Sequence, residues 1–410
     1  MFTTQVYDEY LVLNDSISNA VANNDVDLFI ELTNDLNPER IKLSIFVLPE
    51  FSYTTSPSYG LREQMERLAL PTSNLTLLHI AAFCDSLDIF CYLMSVYDFS
   101  LREKSPDSYL PLHYAIYGNA KEVAYYILDN EPEQAKLETE ARHQLLYFAI
   151  TFDNEEFLTL LLKYGARIDS PANKKDNLIN LAINKKSMSC LKILLQSGYK
   201  SKNYRYSLLM AAVMSLNINA VSLLLESGED PDYFSPNYIS ALFIACTFKR
   251  FDIIKLLCNK MNVFDLPIII REKSLIHYLC ETCEPEIISY VLGYCKDKNI
   301  TTIVNRFDKF GKLGPAYLVD KDYPDKIIEI FKILINYGFQ INALPKDADN
   351  NYTGNSLIYY FVRAIIPNLQ VIKWLLKNGA DPYLKSQNGL SAYDVCKNPD
   401  IIKLLNDMYI

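Results

Sequence analysis

The segment Leu77-Leu78-His79-Ile80-Ala81-Ala82 returns later in the chain in altered form, as Pro111-Leu112-His113-Tyr114-Ala115 and as Leu275-Ile276-His277-Tyr278. A second apolar pattern with helical spacing follows each segment, so each copy predicts a pair of helices. Helix pairs that recur at a regular period stack on their neighbours and bury a continuous core. The sequence therefore predicts an all-α repeat solenoid whose function lies in the surface that it displays.

The period can be followed from a marker position, two residues before the leucine of the Leu-His pair. The markers are Thr76, Leu110, Gln144, Asn177, Ser207, Ser240, Ser274, Gly314, Ser356 and Ser391, and successive markers are 30 to 42 residues apart. The fifth residue after each of the first six markers is alanine: Ala81, Ala115, Ala149, Ala182, Ala212 and Ala245. A small side chain at this fixed position predicts close approach between neighbouring helices.

Several copies of the second helix are followed by glycine. The glycines are Gly165, Gly198, Gly228, Gly338 and Gly379. Glycine just past the last helical turn adopts the left-handed conformation that caps a helix. We therefore expect each of these glycines to end a second helix, with a polar or proline-containing turn leading to the next pair.

This order of a Thr-Pro-Leu-His-like start, two helices and a Gly-Ala-Asp-like end resembles the ankyrin repeat family, from about residue 15 to the C-terminus. The resemblance implies about eleven helix-turn-helix units. It places a divergent capping repeat at residues 1–34, an insertion with a short helix at residues 35–72, and an array ending in a C-terminal capping repeat at residues 73–410. The units that start at Gly314 and Ser356 carry Val319 and Phe361 instead of alanine, so we expect the array to bend or loosen there.

Composition and charge limit the classes of partner. The 410 residues include no linker-like stretch, and the net charge of −9 is spread along the chain. This charge offers no electrostatic footprint for nucleic acid or an anionic membrane. The chain start lacks a signal-peptide pattern, and no apolar run is long enough to span a bilayer. We expect a cytoplasmic protein, or one exported by a route that leaves no such signal.

One group of residues has the ligand types of a zinc site: His277, Cys280, Cys283 and Cys295. The resemblance implies instead that His277 forms a hydrogen bond within its turn, because it occupies the repeated histidine position. Cys280 falls at the buried small-residue position of its unit, and Cys295 ends the next helix. We therefore favour a structural role for all four residues, and we expect no metal and no cofactor.

The remaining sequence predicts no enzyme. It contains no Gly-rich phosphate loop, no His-Glu-x-x-His and no Gly-x-Ser-x-Gly motif. His79 and His113 occupy the same position as His277 and are interpreted in the same way. The nine cysteines lack the spacing of a disulfide framework and are interpreted as reduced thiols, mostly buried.

The resemblance implies a concave groove for partner binding, formed by the exposed side of each first helix and the adjacent turns. The helix positions that face this groove carry Phe83, Tyr117, Phe152, Met214 and Phe248, and the turn positions carry Tyr109, His143, Tyr204, Tyr206 and Ile239. Exposed apolar side chains indicate a binding site, and tyrosine is favoured at hot spots. Alternatively, these aromatic side chains pack between neighbouring units. Trp374, on a second helix, is expected in the core.

Three hypotheses about function stay open. The first is a non-enzymatic scaffold that binds a folded protein or an extended peptide in the aromatic groove. The second is a secreted or host-directed effector or host-range factor that uses the array to inhibit a target protein. The third is an enzyme within residues 35–72, where no cluster of catalytic side chains is found. We expect a monomer, as is common for such solenoids.

Overall fold

The computed structural model of this protein describes residues 15–43, 75–105, 108–137, 145–168, 178–197, 207–237, 239–262, 273–295, 300–345, 354–386 and 388–409. The chain divides into two compact units, Met1–Tyr199 and Lys200–Ile410, and each is described by itself. Within the described residues the regular structure is mainly helical, and isolated antiparallel bridges join Phe234 to Ser240 and Phe307 to Leu313.

The first unit consists of helix pairs. Residues 15–22 are helical. The α-helices that follow are α1 (Val26–Thr33), α2 (Pro38–Leu43), α3 (Leu77–Cys84), α4 (Leu87–Val96), α5 (Pro111–Gly118), α6 (Lys121–Asn130), α7 (Leu145–Thr151), α8 (Glu155–Lys163), α9 (Leu178–Lys185) and α10 (Met188–Gln196), with a 3-10 helix at Pro132–Lys136. The first helices α3, α5, α7 and α9 pack side by side in chain order. On the second layer, α4 packs against α1 and α6, and α8 against α10.

The second unit repeats this arrangement. Its α-helices are α11 (Leu208–Met214), α12 (Ile218–Glu226), α13 (Ala241–Thr247), α14 (Phe251–Cys258), α15 (Leu275–Thr282), α16 (Pro285–Tyr294), α17 (Ile300–Val304), α18 (Pro324–Asn336), α19 (Leu357–Val362), α20 (Leu369–Lys377), α21 (Ala392–Val395) and α22 (Pro399–Tyr409), with a 3-10 helix at Gly314–Leu318. One layer runs through α11, α13, α15, the 3-10 helix, α19 and α21. The other runs through α12, α14, α16, α18, α20 and α22.

Small residues stand where first helices approach each other, as predicted. All six marker-defined alanines are fully buried. The closest approach is at Gly118, the last residue of α5, where an added Cβ would lie 1.8 Å from the carbonyl oxygen of Phe83 on α3. A side chain at this position is therefore sterically excluded.

The glycine caps are confirmed where the structure describes them. Gly165, Gly228, Gly338 and Gly379 have φ between 86° and 89°, and Gly198 lies outside the described residues. A second left-handed position occurs in the turn between first and second helices, nine residues after each of the first seven markers. There the residues are Asp85, Asn119, Asp153, Lys186, Leu216, Lys249 and Cys283, with φ between 51° and 61°. Glycine is thus absent from a turn position that favours it.

The divergent segments differ in detail from the prediction. The insertion begins with α2, and the predicted helix at residues 61–70 lies outside the described residues. The unit that starts at Gly314 has a 3-10 helix instead of an α-helix, and Val319 caps its C-terminus. A Cβ on Gly314 would lie 3.0 Å from the carbonyl oxygen of Ile276. In this unit the small residue is therefore at the marker position and not five residues after it. This 3-10 helix packs on both α15 and α19, so the layer continues through the unit.

Candidate functional site

The buried histidines connect neighbouring repeats. His79 Nδ1 lies 2.8 Å from the Thr76 hydroxyl, and His79 Nε2 lies 3.2 Å from the backbone carbonyl oxygen of Tyr109 in the next repeat. His277 makes the same pair of contacts with Ser274 and with the carbonyl oxygen of Lys312, at 2.9 and 3.0 Å. Burial lowers the pKa of His79 to about 4, so its imidazole is neutral at pH 7. The structural interpretation of both residues is confirmed.

His113 is also buried, and its Nδ1 accepts a hydrogen bond from the Leu110 backbone N–H at 3.1 Å. Burial lowers its pKa to about 3. His113 therefore matches His79 in its position in the repeat and in having a neutral imidazole at pH 7.

The cysteines near His277 are packing residues. Cys280, Cys283 and Cys295 are each at most 2% exposed, and burial raises the pKa values of Cys280 and Cys283. Among the described residues, no three His, Cys, Asp or Glu side chains are placed to share a metal ion. All nine thiols are free, but Cys84 and Cys91 are only half-buried. These features are those of structural cysteines.

The prediction that Tyr109 and Tyr117 lie on the surface of the groove is wrong, because both side chains are buried. Tyr117 is 1% exposed and Tyr109 is 7% exposed. The ring of Tyr117 lies 5.2 Å from that of Phe148 and 5.0 Å from that of Phe152, and the ring of Tyr109 lies 6.2 Å from that of Phe148. The alternative interpretation, that aromatic side chains pack between units, is therefore the correct one here.

The other predicted residues differ in accessibility. Phe83, Phe152 and Ile239 are half-buried. Met214 and Phe248 are exposed, at 41% and 47%, and remain candidates for partner contact. Three further predicted residues, His143, Tyr204 and Tyr206, lie outside the described residues.

Met214 and Phe248 lie on adjacent repeats of the second unit. Met214 ends α11, Phe248 caps the C-terminus of α13, and these two helices pack together. Sequence analysis missed Leu216, which is 41% exposed in the turn after α11. We define these three side chains as the apolar patch. Trp374 is half-buried and stacks on Phe331 with ring centroids 5.6 Å apart, so its predicted core position is only partly correct.

A second surface of this unit was not predicted. The bridge between Phe307 and Leu313 closes a short hairpin. At its base, Lys312 Nζ lies 5.6 Å from the ring centre of Tyr317 and 5.4 Å from that of Tyr360. Tyr278 and Tyr360 each lie four residues after their markers. This recurrence of tyrosine is the sequence signal from which an aromatic surface could have been predicted. We define Lys273, Lys309, Phe310, Lys312, Tyr317 and Tyr360 as the hairpin cluster.

Comparison with known proteins identifies the repeat. The family model "Ankyrin repeats (3 copies)" matches residues 78–172 and 146–235. Residues 78–235 therefore match the ankyrin repeat.

Two proteins of Acanthamoeba polyphaga mimivirus, both named as ankyrin repeat proteins, are similar in sequence to this chain. One is 24% identical over 307 residues, covering 69% of this chain and 37% of the relative. The other is 24% identical over 217 residues, covering 48% of this chain and 28% of the relative. This chain thus spans well under half the length of the curated relatives that it matches.

Among solved structures, the ankyrin repeat domain of Bcl-3, a member of the IkappaB family, is similar with a TM-score of 0.46 and 20% identity, covering 57% of this chain and 99% of that one. The human ASB11 ankyrin repeat domain gives a TM-score of 0.43 and 16% identity, covering 60% and 98%. Across the described residues, no helix is both long enough and apolar enough to cross a membrane.

Proposed function

We propose that this chain is a non-enzymatic module that binds another protein through the apolar patch. The observation that carries the proposal is the exposure of Met214, Leu216 and Phe248 on adjacent repeats. Exposed apolar side chains that lie together mark interaction sites, and ankyrin repeats generally mediate protein–protein interaction. Arg250 Nη1 donates a hydrogen bond to the carbonyl oxygen of Leu216 at 3.4 Å, which links the two turns. A partner would therefore meet a preorganised surface.

The absence of catalysis is part of this proposal. The strongly shifted pKa values of His79 and His113 arise from burial, and both imidazoles have structural hydrogen bonds. A catalytic group needs a shifted pKa and access to a substrate at the same time. Neither histidine meets the second condition.

A host-directed role is the second candidate. Both curated relatives belong to a virus, and the sequence composition already left a host-range factor open. In that case the partner of the apolar patch would be a host protein that the chain inhibits. Capture from host and non-host lysates distinguishes the candidates, because a host-directed factor retains its partner only from the host lysate.

The test of the proposed function is the double variant Met214→Ser, Phe248→Ser in affinity capture from cell lysate. We expect the partner to be lost, because truncating hot-spot side chains costs about 2 kcal/mol or more, or about thirtyfold in Kd. Val96→Ser is the matched control, since Val96 is 51% exposed on α4 in the other unit. Unchanged capture by a double variant that is folded by circular dichroism contradicts the proposal.

A further inference from the structure

The hairpin cluster carries an excess of positive charge in an acidic chain. Residues 306–312 contain Arg306, Lys309 and Lys312 but the single carboxylate of Asp308, whereas the chain as a whole has a net charge of −9. Asp308 is 5% exposed. Its carboxylate accepts hydrogen bonds from the backbone N–H groups of Phe310 and Lys312, both at 2.8 Å. This carboxylate is thus occupied in holding the hairpin.

Aromatic rings surround these ammonium groups. Lys273 Nζ lies 4.3 Å from the ring centre of Tyr317, and Lys312 Nζ lies between the rings of Tyr317 and Tyr360. Lys309 Nζ lies 4.8 Å from the ring centre of Phe310, which is 63% exposed. An ammonium group on an aromatic face keeps its charge and remains available to an anion. The surface therefore alternates cationic groups with apolar rings.

The cluster is also preorganised. The Tyr317 hydroxyl donates a hydrogen bond to Asp308 Oδ2 at 2.6 Å, which fixes the ring beneath both lysines. The carbonyl oxygen of Lys312 contacts the buried His277, so the base of the hairpin is anchored to α15. Binding a ligand here costs little ordering of the backbone.

Lys312 differs from Lys273 in its contacts. Lys273 forms an ion pair with Glu281. Within the described part of the chain, Lys312 forms no ion pair, and its ammonium contacts only rings. A carboxylate that approached Lys312 would not have to displace an internal partner.

We propose that the hairpin cluster binds an acidic segment of a partner protein, in which carboxylate side chains flank an apolar side chain. The carboxylates accept hydrogen bonds from Lys309 and Lys312, and the apolar side chain packs on Phe310 and Tyr360. The inference rests on the proposed function, because it names the chemistry of part of that protein partner. Charge complementarity favours a short acidic peptide over nucleic acid, since a polyanion would also meet the negative charge of the whole chain.

The experiment uses fluorescein-labelled synthetic peptides of one length with a central leucine, whose flanking residues are glutamate in one peptide and glutamine in the other. Fluorescence anisotropy with the full chain gives the affinity. We expect the glutamate peptide to bind more tightly, and its binding to weaken as salt is added, because exposed ion pairs are screened. A uridine oligomer is the nucleic-acid probe.

The double variant Lys309→Met, Lys312→Met keeps the aliphatic stems and every backbone contact of the hairpin. We expect it to bind the glutamate peptide about fivefold to tenfold more weakly, the effect of two exposed ion pairs. Lys332→Met is the matched control, because Lys332 is exposed on α18, which belongs to the other layer of helices. Its affinity for the peptide should equal that of the wild type.

Three outcomes overturn the inference. They are equal affinity for the two peptides, unchanged affinity of the folded double variant, and preferential binding of the uridine oligomer. Failure here is distinguishable from failure of the proposed function, because the capture experiment with the Met214 and Phe248 variant reads a different surface. If that capture is lost while the peptides fail, the protein-binding role stands and only the acidic chemistry is wrong.

Discussion

At the scale of single residues, the buried histidine of the repeated segment acts as a connector. His79 contacts Thr76 in its own turn and the backbone of Tyr109 in the next repeat. Burial favours the neutral imidazole, and the pKa falls from an ordinary value of 6.5 to about 4. In the unfolded chain the same imidazole binds a proton below pH 6.5. The connector is therefore strong at neutral pH and is weakened by acid.

The sign of this pH dependence gives a prediction for His79→Gln. The folded state binds fewer protons than the unfolded state, so the stabilisation is complete above pH 6.5 and declines as the pH falls toward 4. We expect the wild type to lose about 3 kcal/mol more than the variant across this window. Urea denaturation at a series of pH values measures the difference. Equal losses in the two proteins would show that His79 does not titrate on unfolding.

At the scale of elements, the left-handed turn residue has a second role in the first unit. Asp85 accepts hydrogen bonds from the backbone N–H groups of Val123 and Lys121, at 3.0 and 3.1 Å, at the N-terminus of α6. Asp153 makes the equivalent contact with Cys190 on α10, at 2.9 Å. One repeat thus caps the second helix of the next, and a carboxylate at a helix N-terminus also interacts favourably with its dipole. At the equivalent position of α11–α12, Leu216 has no oxygen in its side chain to do this.

Reciprocal substitutions test this capping. We expect Asp85→Leu to lower the free energy of unfolding by about 1 to 2 kcal/mol, because two N–H groups lose their acceptor. Leu216→Asp should raise it by up to about 1 kcal/mol, since aspartate tolerates the left-handed region and can cap α14, whose N-cap Arg250 supplies no side-chain hydrogen bond. Chemical denaturation of both variants gives the two values. The capping account fails if both substitutions change stability in the same direction.

At the scale of the whole molecule, the helices of the second unit form two layers in which each helix packs against its neighbours along the layer. On the second layer, α14 packs between α12 and α16, and α16 between α14 and α18. By contrast, α22 has one main neighbour among the helices that the structure describes, which is α20. Because stability in such arrays is a sum of contacts between neighbours, a helix with fewer of them opens at lower free-energy cost.

Hydrogen exchange followed by mass spectrometry tests this gradient. We expect amides of α22 to exchange at least about tenfold faster than those of α14 and α16, which corresponds to a difference of about 1.4 kcal/mol in opening. Peptides from α14 and α16 serve as internal references for each other, since both helices have neighbours on both sides. Uniform protection across the three helices would mean that this unit opens in one cooperative step.

The fold class followed from the sequence alone, because its signals are local. Helical periodicity, the alanine five residues after each of the first six markers and the glycine after several second helices depend on short stretches of chain, and the described structure has these features. The recurring histidine likewise pointed to its structural role. These features specify a helix pair and its spacing from the next pair.

Exposure was decided only by the tertiary structure. Tyr117 and Met214 occupy the same position after their markers, yet Tyr117 packs against Phe148 of the next repeat and Met214 faces solvent. Phe148 belongs to the next repeat, so a single repeat does not contain the side chain against which Tyr117 packs. The hairpin cluster similarly combines Lys273, Lys312 and Tyr360 from successive repeats. Stacking brings these distant residues together, and no local sequence pattern specifies which side chains will meet.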